Sequence, residues 1–370
     1  MSKTKEHTII EPLKGSLKEI AKKALNTERI SCAEALVLFK EADLHTLGYI
    51  ADSINKKKNA SVVYYNKNIH VEPTNICIHD CVFCSYARKK GEDGAWESEI
   101  SEITQRVSTV LKKNITEVHI VGGVHPDRDI NYYSSLISAV KKQAPHVHIK
   151  AFTAIEIEFM AVKSGLTIKQ TLEILKKAGL QSLPGGGAEI FNKDVRKKIC
   201  KSKTNSNAWL SIHQTAHEIG LSSNATMLYG HIESLEDRID HLHKLRSLQD
   251  ITGGFNAFIP LKYKMAHNPL GLKKESTWVE DLKNFAISRI FLDNFTHLKA
   301  YWPMLGKDFA QISLEFGVND LDGTINDSTK IYSMAGAEEK NPSMTENEIK
   351  ELIFAVNKIP RERDSEYNLV

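Results

Sequence analysis

Charge of one sign is scarce in this chain. It carries 49 basic and 46 acidic residues among 370, a formal balance of +3. That is not the footprint of a nucleic-acid binder. Long apolar runs are missing as well. None approaches the length a bilayer needs, so no membrane span is expected. Residues Met1 to His7 lead into no apolar stretch, and no secretory leader is expected there. Cysteine is sparse and odd in number, at five. A disulfide framework wants an even count and an oxidising compartment. Unpaired thiols suit a reducing cytoplasm, which is the expected location. What the chain has in quantity is core material: 41% of it is hydrophobic, enough for a large buried interior.

Three of the five cysteines fall within eight residues, Cys77-Ile78-His79-Asp80-Cys81-Val82-Phe83-Cys84. Thiolates spaced C-x3-C-x2-C can hold three irons of a cubane 4Fe-4S cluster. The run lacks a fourth Cys, so one iron stays open to an outside ligand. An open iron is what S-adenosylmethionine (SAM) needs to chelate a cluster through its amino and carboxylate groups. Zinc fits less well, because its sites want a fourth ligand and repeat C-x2-C or pair Cys with His. His79 sits between the first two thiols and would point elsewhere in a tight loop. Phe83, just before the last thiol, completes C-x3-C-x-aromatic-C. Cys32 and Cys200 stand alone and read as ordinary thiols.

Residues up to about Asn59 read as helical, with Ser31-Cys32-Ala33-Glu34 as a capping box. Short β-like runs then alternate with helical patterns. Strands are expected at Ile69–Glu72, Val118–Val121, His148–Phe152, Gln181–Leu183, Asn224–Leu228, Asn256–Ile259 and Leu298–Tyr301, with a weak one at Asp320–Gly323. A capping box at Thr167 and a C′ glycine at Gly179 bound one helix; another starts at Ser234 and runs to about Asp250. A further helix is expected over Leu305–Phe316. Eight β/α repeats imply an α/β fold, a (β/α)8 barrel of the TIM type, whose chemistry sits in loops after the strands. The thiols follow the first strand directly. The division expected is 1–60 as an N-terminal helical extension, 61–330 as the barrel and 331–370 as a C-terminal helix and tail. The repeat pattern stops near Thr329, Glu346–Val356 reads as a terminal helix, and the charged tail beyond Arg361 is expected to be peripheral.

The loops after the other strands carry further candidates. Gly122-Gly123-Val124-His125-Pro126 lets backbone approach a ligand closely. Thr153-Ala154-Ile155-Glu156 places a carboxylate past a strand; Glu156 would either accept the two hydroxyls of a ribose or favour a helix N-terminus. Leu183-Pro184-Gly185-Gly186-Gly187-Ala188-Glu189 suggests a loop shaped around a ligand. Tyr229-Gly230-His231-Ile232-Glu233 follows the fifth strand. His267 lies in a long irregular loop.

Taken together these segments, with Thr74-Asn75-Ile76-Cys77, Asn224–Glu233, Gly253-Gly254-Phe255 and Lys299-Ala300-Tyr301-Trp302, resemble the aminofutalosine synthases, radical SAM enzymes of a route to menaquinone. The resemblance runs from about Tyr64 onward. It implies a 4Fe-4S cluster on Cys77, Cys81 and Cys84, and SAM as a consumed substrate. It implies SAM contacts from Gly122, Gly123, Glu156, Gly230 and Glu233. It also implies a one-electron donor such as flavodoxin or ferredoxin. The acceptor would be 3-[(1-carboxyvinyl)oxy]benzoate, joined to the 5′-deoxyadenosyl group with rearrangement and decarboxylation to 6-amino-6-deoxyfutalosine. Because that acceptor has two carboxylates, Arg88, His125 and His267 are the candidates to bind it. Where many relatives place an acid after Gly-Gly, this chain has His125 and Pro126.

The alternatives are a dehypoxanthine futalosine cyclase or a deazaflavin synthase of the same clan, and, from a different class, a non-catalytic Fe–S or zinc barrel. The thiol assignment has a direct test. Anaerobic reconstitution and iron counting should show an incomplete or labile cluster in Cys81→Ala, and a full one in Cys32→Ala and Cys200→Ala. A full, SAM-cleaving cluster in Cys81→Ala would refute the assignment.

Overall fold

The structure is a computed structural model and describes residues 8–324, 331–337 and 342–370. Its strands are β1 Val62–Tyr65, β2 Asn68–Val71, β3 Glu117–Ile120, β4 His148–Ala151, β5 Ser182–Leu183, β6 Ser222–Tyr229, β7 Phe255–Lys262, β8 His297–Ala300, β9 Asp320–Leu321 and β10 Ile359–Glu362. They form one parallel sheet in the order β10-β1-β9-β8-β7-β6-β5-β4-β3-β2. Only Asn66 and Lys67 separate β1 from β2, yet β1 pairs with β9 and β10 while β2 pairs with β3. The sheet therefore curls until one bent segment serves both of its sides. Asn66 and Asn68 hold the seam. The Thr324 amide donates to the Asn66 carbonyl at 3.2 Å, and Asn68 Nδ2 donates to Asp322 at 3.1 Å. Gly323 is required there, since a Cβ on it would stand 2.2 Å from the Asn66 carbonyl oxygen.

The eight expected strands are all present, within a few residues at each end. Two more, β1 and β10, were not foreseen. Each has four residues, and β10 contains Pro360, which lacks an N–H and is tolerated at a sheet edge. The expected capping boxes form at Ser31, Thr167 and Ser234, and Gly179 ends its helix at φ +119°. The Leu305–Phe316 helix is instead broken at Gly306, φ +86°, into Trp302–Leu305 and Lys307–Ser313, followed by a 3-10 turn.

Strand alternation divides the barrel into two environments. Val118, Ile120 and Ile149 are fully buried, as are Leu172 and Leu175 of the helix Ile168–Ala178. The inward positions are polar: His70, Glu117, Lys150, Lys299 and Asp320 are each at most 3% exposed. The N-terminal helices cover the far side, with Leu44–Asn59 packed on Trp278–Phe291.

The tail is not peripheral, and this corrects the expectation drawn from its charge. Arg363 and Ser365 are each 1% exposed. Arg363 pairs with Asp320 at 2.6 Å and lies 4.1 Å from the centroid of the Tyr367 ring. Tyr367 stacks on His297 at 3.5 Å and its hydroxyl donates to Asp320. Ser365 Oγ donates to Glu117 at 2.6 Å. The segment closes the N-terminal end of the barrel, where inward carboxylates demand partners. The expected stop near Thr329 lies outside the described residues.

Removing one member of a buried pair leaves the other charge uncompensated, at a cost of about 3–5 kcal/mol. Arg363→Met should therefore lower the denaturant midpoint strongly. Arg361→Met, at an exposed position, should shift stability by less than about 0.5 kcal/mol.

Candidate active site

The thiol loop begins where β2 ends. Thr74 Oγ1 donates to the Trp96 carbonyl at 2.7 Å and accepts from the Ile76 amide at 3.0 Å. Asn75 clasps the same partner segment through Gly94 and Trp96. The Cys77 amide donates to the Arg88 carbonyl at 2.9 Å, and Cys84 closes a turn onto Cys81 at 3.0 Å. Val82 donates to Ile199 at 2.9 Å, and Ser202 Oγ accepts from the Asp80 amide at 3.3 Å. Five free thiols are present, and Cys77, Cys81 and Cys84 share the wall of one cavity of about 310 Å³. Burial pushes the Cys77 thiol up and the Cys81 thiol up to about 12. Binding metal here means displacing protons. Among the described residues no three His, Cys, Asp or Glu side chains converge as around a single ion. A cubane needs no such convergence, because each thiolate meets a different iron.

Gly122 and Gly123 line the cavity, but their lack of side chains serves the thiol loop. A Cβ on Gly123 would stand 2.3 Å from the Ile76 carbonyl oxygen, and one on Gly122 would stand 2.9 Å from that of Thr74. The Gly123 amide donates to Thr74 at 2.8 Å, and Ile78 donates to the Val124 carbonyl at 3.0 Å. A side chain at Gly123 would first collide with the backbone that carries the thiols.

Glu156 sits in a capping box. Its carboxylate accepts from the Thr153 amide at 2.7 Å and hydroxyl at 2.9 Å, and the Gly122 backbone adds a hydrogen bond. Thr153 and Ile155 reach the cavity; Glu156 is not on its wall. Gly230 and Glu233 close on themselves in the same way. Glu233 accepts from the Gly230 amide at 2.6 Å and pairs with Arg238 at 2.7 Å. Burial raises its pKa, and His231 with Arg238 outweighs this, holding it at about 2. Neither residue lines the cavity.

The three substrate candidates lie elsewhere. Arg88 donates to the carbonyls of Ser85 at 3.0 Å and Ala87 at 2.9 Å, bracing the chain after Cys84. His125 is buried, and its Nδ1 accepts from the Asp127 amide at 3.1 Å. Its Nε2 lies 3.4 Å from Glu97 without hydrogen-bond geometry, and burial keeps the ring neutral. His267 is exposed at φ +56°. None of the three touches the cavity.

Other groups line it in their place. Pro184 to Gly187 form one wall, where a Cβ on Gly185 would meet the Asn224 carbonyl at 2.7 Å. Glu189 and Lys203 form an ion pair at 2.6 Å beside the Phe83 ring, whose centroid is 5.2 Å from the ammonium. Below them stand His70, His119, Lys150, Asn224, Thr226, Lys299 and Tyr301. Sequence reasoning named none of these seven as site residues, although Asn224, Thr226, Lys299 and Tyr301 lie in segments it singled out. The available signal was a charged or imidazole side chain inside a strand pattern, which has no place on a strand packed by helices on both faces.

A parallel barrel with three thiols in the loop after β2 defines the class of radical SAM enzymes. Residues 71–245 match the family described as "Radical SAM superfamily", and residues 252–370 match "CofH/MqnC C-terminal region". The chain is 43% identical to the aminodeoxyfutalosine synthase of Thermus thermophilus over 95% of each chain. It is 38% identical to that of Streptomyces coelicolor, over 96% of this chain and 94% of the other. The cyclic dehypoxanthine futalosine synthase of Streptomyces coelicolor is 35% identical, over 96% of this chain and 89% of that one. Among solved structures, the hydrogenase maturase HydG of Carboxydothermus hydrogenoformans superposes with a TM-score of 0.74 at 18% identity, covering 98% of this chain and 84% of that one. Methylornithine synthase gives 0.73 at 14%, covering 92% and 97%; both likenesses concern the fold. The chain belongs to the radical SAM family that includes the aminodeoxyfutalosine synthases. That family implies a 4Fe-4S cluster and SAM. The donor set here fits them: three thiols open onto a glycine-walled space with a cation, Lys203, at its edge.

Burial lifts the Glu156 carboxyl to about 7, against the hydrogen bonds from Thr153. A carboxyl raised on folding binds its proton more tightly in the native state. Its contribution is complete below the unfolded pKa and is lost as pH rises from about 4.5 to about 7. Gln also serves at the N3 position of a capping box. Glu156→Gln should therefore flatten the loss of stability over that window while leaving SAM affinity intact. A large fall in SAM affinity, measured by equilibrium binding to the reconstituted protein, would restore the ribose role.

Proposed function

We propose that this chain is an aminodeoxyfutalosine synthase. It joins the 5′-deoxyadenosyl group of SAM to the vinyl carbon of 3-[(1-carboxyvinyl)oxy]benzoate. Rearrangement onto the ring and loss of the vinyl carboxylate then give aminodeoxyfutalosine. The observation that carries this reading is the 43% identity with the Thermus thermophilus enzyme over 95% of both chains. The cyclic dehypoxanthine futalosine synthase, at 35%, is more distant.

In this reading Cys77, Cys81 and Cys84 hold the cluster, and the Gly122-Gly123 turn and the Pro184–Gly187 wall border SAM. Lys203 offers its ammonium to a carboxylate. When bound, the cluster and SAM supply a carbon radical at the adenosyl 5′ position. The protein supplies placement. A cavity of about 310 Å³ reached from the thiol loop holds the acceptor with its vinyl end toward that position, which removes much of the entropic cost of a bimolecular step. The tail at the opposite end of the barrel keeps water out. A small one-electron donor protein such as flavodoxin or ferredoxin, in a reducing cytoplasm, completes the reading; no helix among the described residues is long and apolar enough to cross a membrane.

Labelled SAM decides the reaction type. With heavy carbon in the adenosyl group, reductant and the benzoate acceptor, the label should appear covalently in the aromatic product, with bicarbonate released in step. Label recovered as free 5′-deoxyadenosine beside a cyclised product would favour the hydrogen-abstracting cyclase instead.

A further inference from the structure

Two donors in the cavity are unspent. Lys299, on β8, has a side chain 4% exposed. Its ammonium stands 3.5 Å from Asp322 and 3.8 Å from Asp320, and it hydrogen-bonds to neither. Nor does it meet any other acceptor among the described residues. His119, on β3, has a buried Nε2 with no partner. Both line the cavity. An ammonium brings three donors, and one held by ion pairs of 3.5 and 3.8 Å without a hydrogen bond keeps its N–H groups free for a further acceptor. Such groups in a cavity wall mark the place of a ligand atom.

The register sets the two donors in the barrel wall, each at the third residue of its four-residue strand. His119 pairs with His70 on one side and with Lys150 on the other, and Lys299 pairs with Asp320. The thiols stand in the loop above, so the cavity has a reacting end and a floor. The floor's charges are already matched: Lys150 binds Glu117 at 2.6 Å, Arg363 binds Asp320 at 2.6 Å, and Lys299 lies between Asp320 and Asp322. A ligand is therefore recognised there by donors with free hydrogen-bonding capacity, not by surplus charge. Burial keeps the His119 ring neutral, at about 3, so it brings one N–H, and Lys299 brings the N–H groups of an ammonium whose charge Asp320 and Asp322 already match. Both donors face one cavity, and a carboxylate offers each of them an acceptor oxygen.

We propose that Lys299 and His119 form a carboxylate subsite at the floor of the cavity, which takes the ring carboxylate of a benzoate acceptor and so turns its vinyl end toward the thiols. This rests on the acceptor proposed above and adds the direction in which it binds. The tail acts at one remove: Arg363 occupies Asp320, and Lys299 is left to face the cavity.

The test is equilibrium binding to the anaerobic, cluster-loaded protein with SAM and no reductant. The probes are 3-[(1-carboxyvinyl)oxy]benzoate and its ring carboxamide. The parent should bind the acid at least tenfold more tightly than the amide. Lys299→Met should abolish that preference and Lys299→Arg should recover part of it, with iron content and SAM affinity unchanged in both. If Lys299→Met does not fold, Lys299→Met with Asp322→Asn, which removes the charges together, should show the same lost preference. Equal binding of acid and amide by the parent would overturn the subsite and leave the acceptor standing. A preference that survives in the variants would overturn the role of Lys299. Failure of the parent to bind either probe would overturn the acceptor itself, and the subsite with it.

Discussion

Where a Cβ on Gly123 would stand, the Ile76 carbonyl oxygen already lies 2.3 Å away, so two loops from neighbouring strands share a space that only a bare backbone can share. The hydrogen bonds Gly123 to Thr74 and Ile78 to Val124 lie on either side of that approach. Through them the thiol loop inherits the rigidity of the β2–β3 ladder. The remaining braces come from further away, from Ile199 and Ser202 on one flank and from Ala266, which accepts from Ser85, on another. A loop with little regular structure of its own is thereby fixed by elements spread over two hundred residues of chain.

The contrast between what was legible in the sequence and what was not follows from range. Strands β2 to β9 and the capping boxes at Ser31, Thr167 and Ser234 are written locally, in alternation and in residues three apart. The thiol motif is local too, and so was readable. Glu156 and Glu233 had the correct residue type in the expected loops, but each carboxylate is used by amides of its own turn. No linear pattern separates a carboxylate that caps its turn from one that faces a ligand. His125 and Arg88 misled for the same reason: each sits beside the motif in sequence and turns to its own backbone in space. Lys203, Lys299 and His119 were missed because they converge only once the barrel closes.

The barrel keeps its two kinds of buried surface apart. Aliphatic side chains fill the layer between strands and helices, where burial itself is the driving force. The inward faces carry ionised groups that would be ruinous there singly and are tolerable because each meets an opposite charge. The C-terminal segment is part of that accounting. Without Arg363 and Ser365, Asp320 and Glu117 would each lose a partner. A tail that looks solvated by composition is drawn inward because the barrel offers it carboxylates.

The same ionic floor responds to warming differently from the rest of the molecule. Hydration of charged groups becomes less favourable as temperature rises, so the penalty for keeping Arg363, Asp320, Lys299 and Asp322 out of water shrinks, while the gain from each unit of apolar burial levels off. On heating, the floor's share of the total stability grows relative to that of the helical shell. The cold side is the reverse: near freezing, the packed charges at the base of the barrel cost more to keep dry than they do when warm.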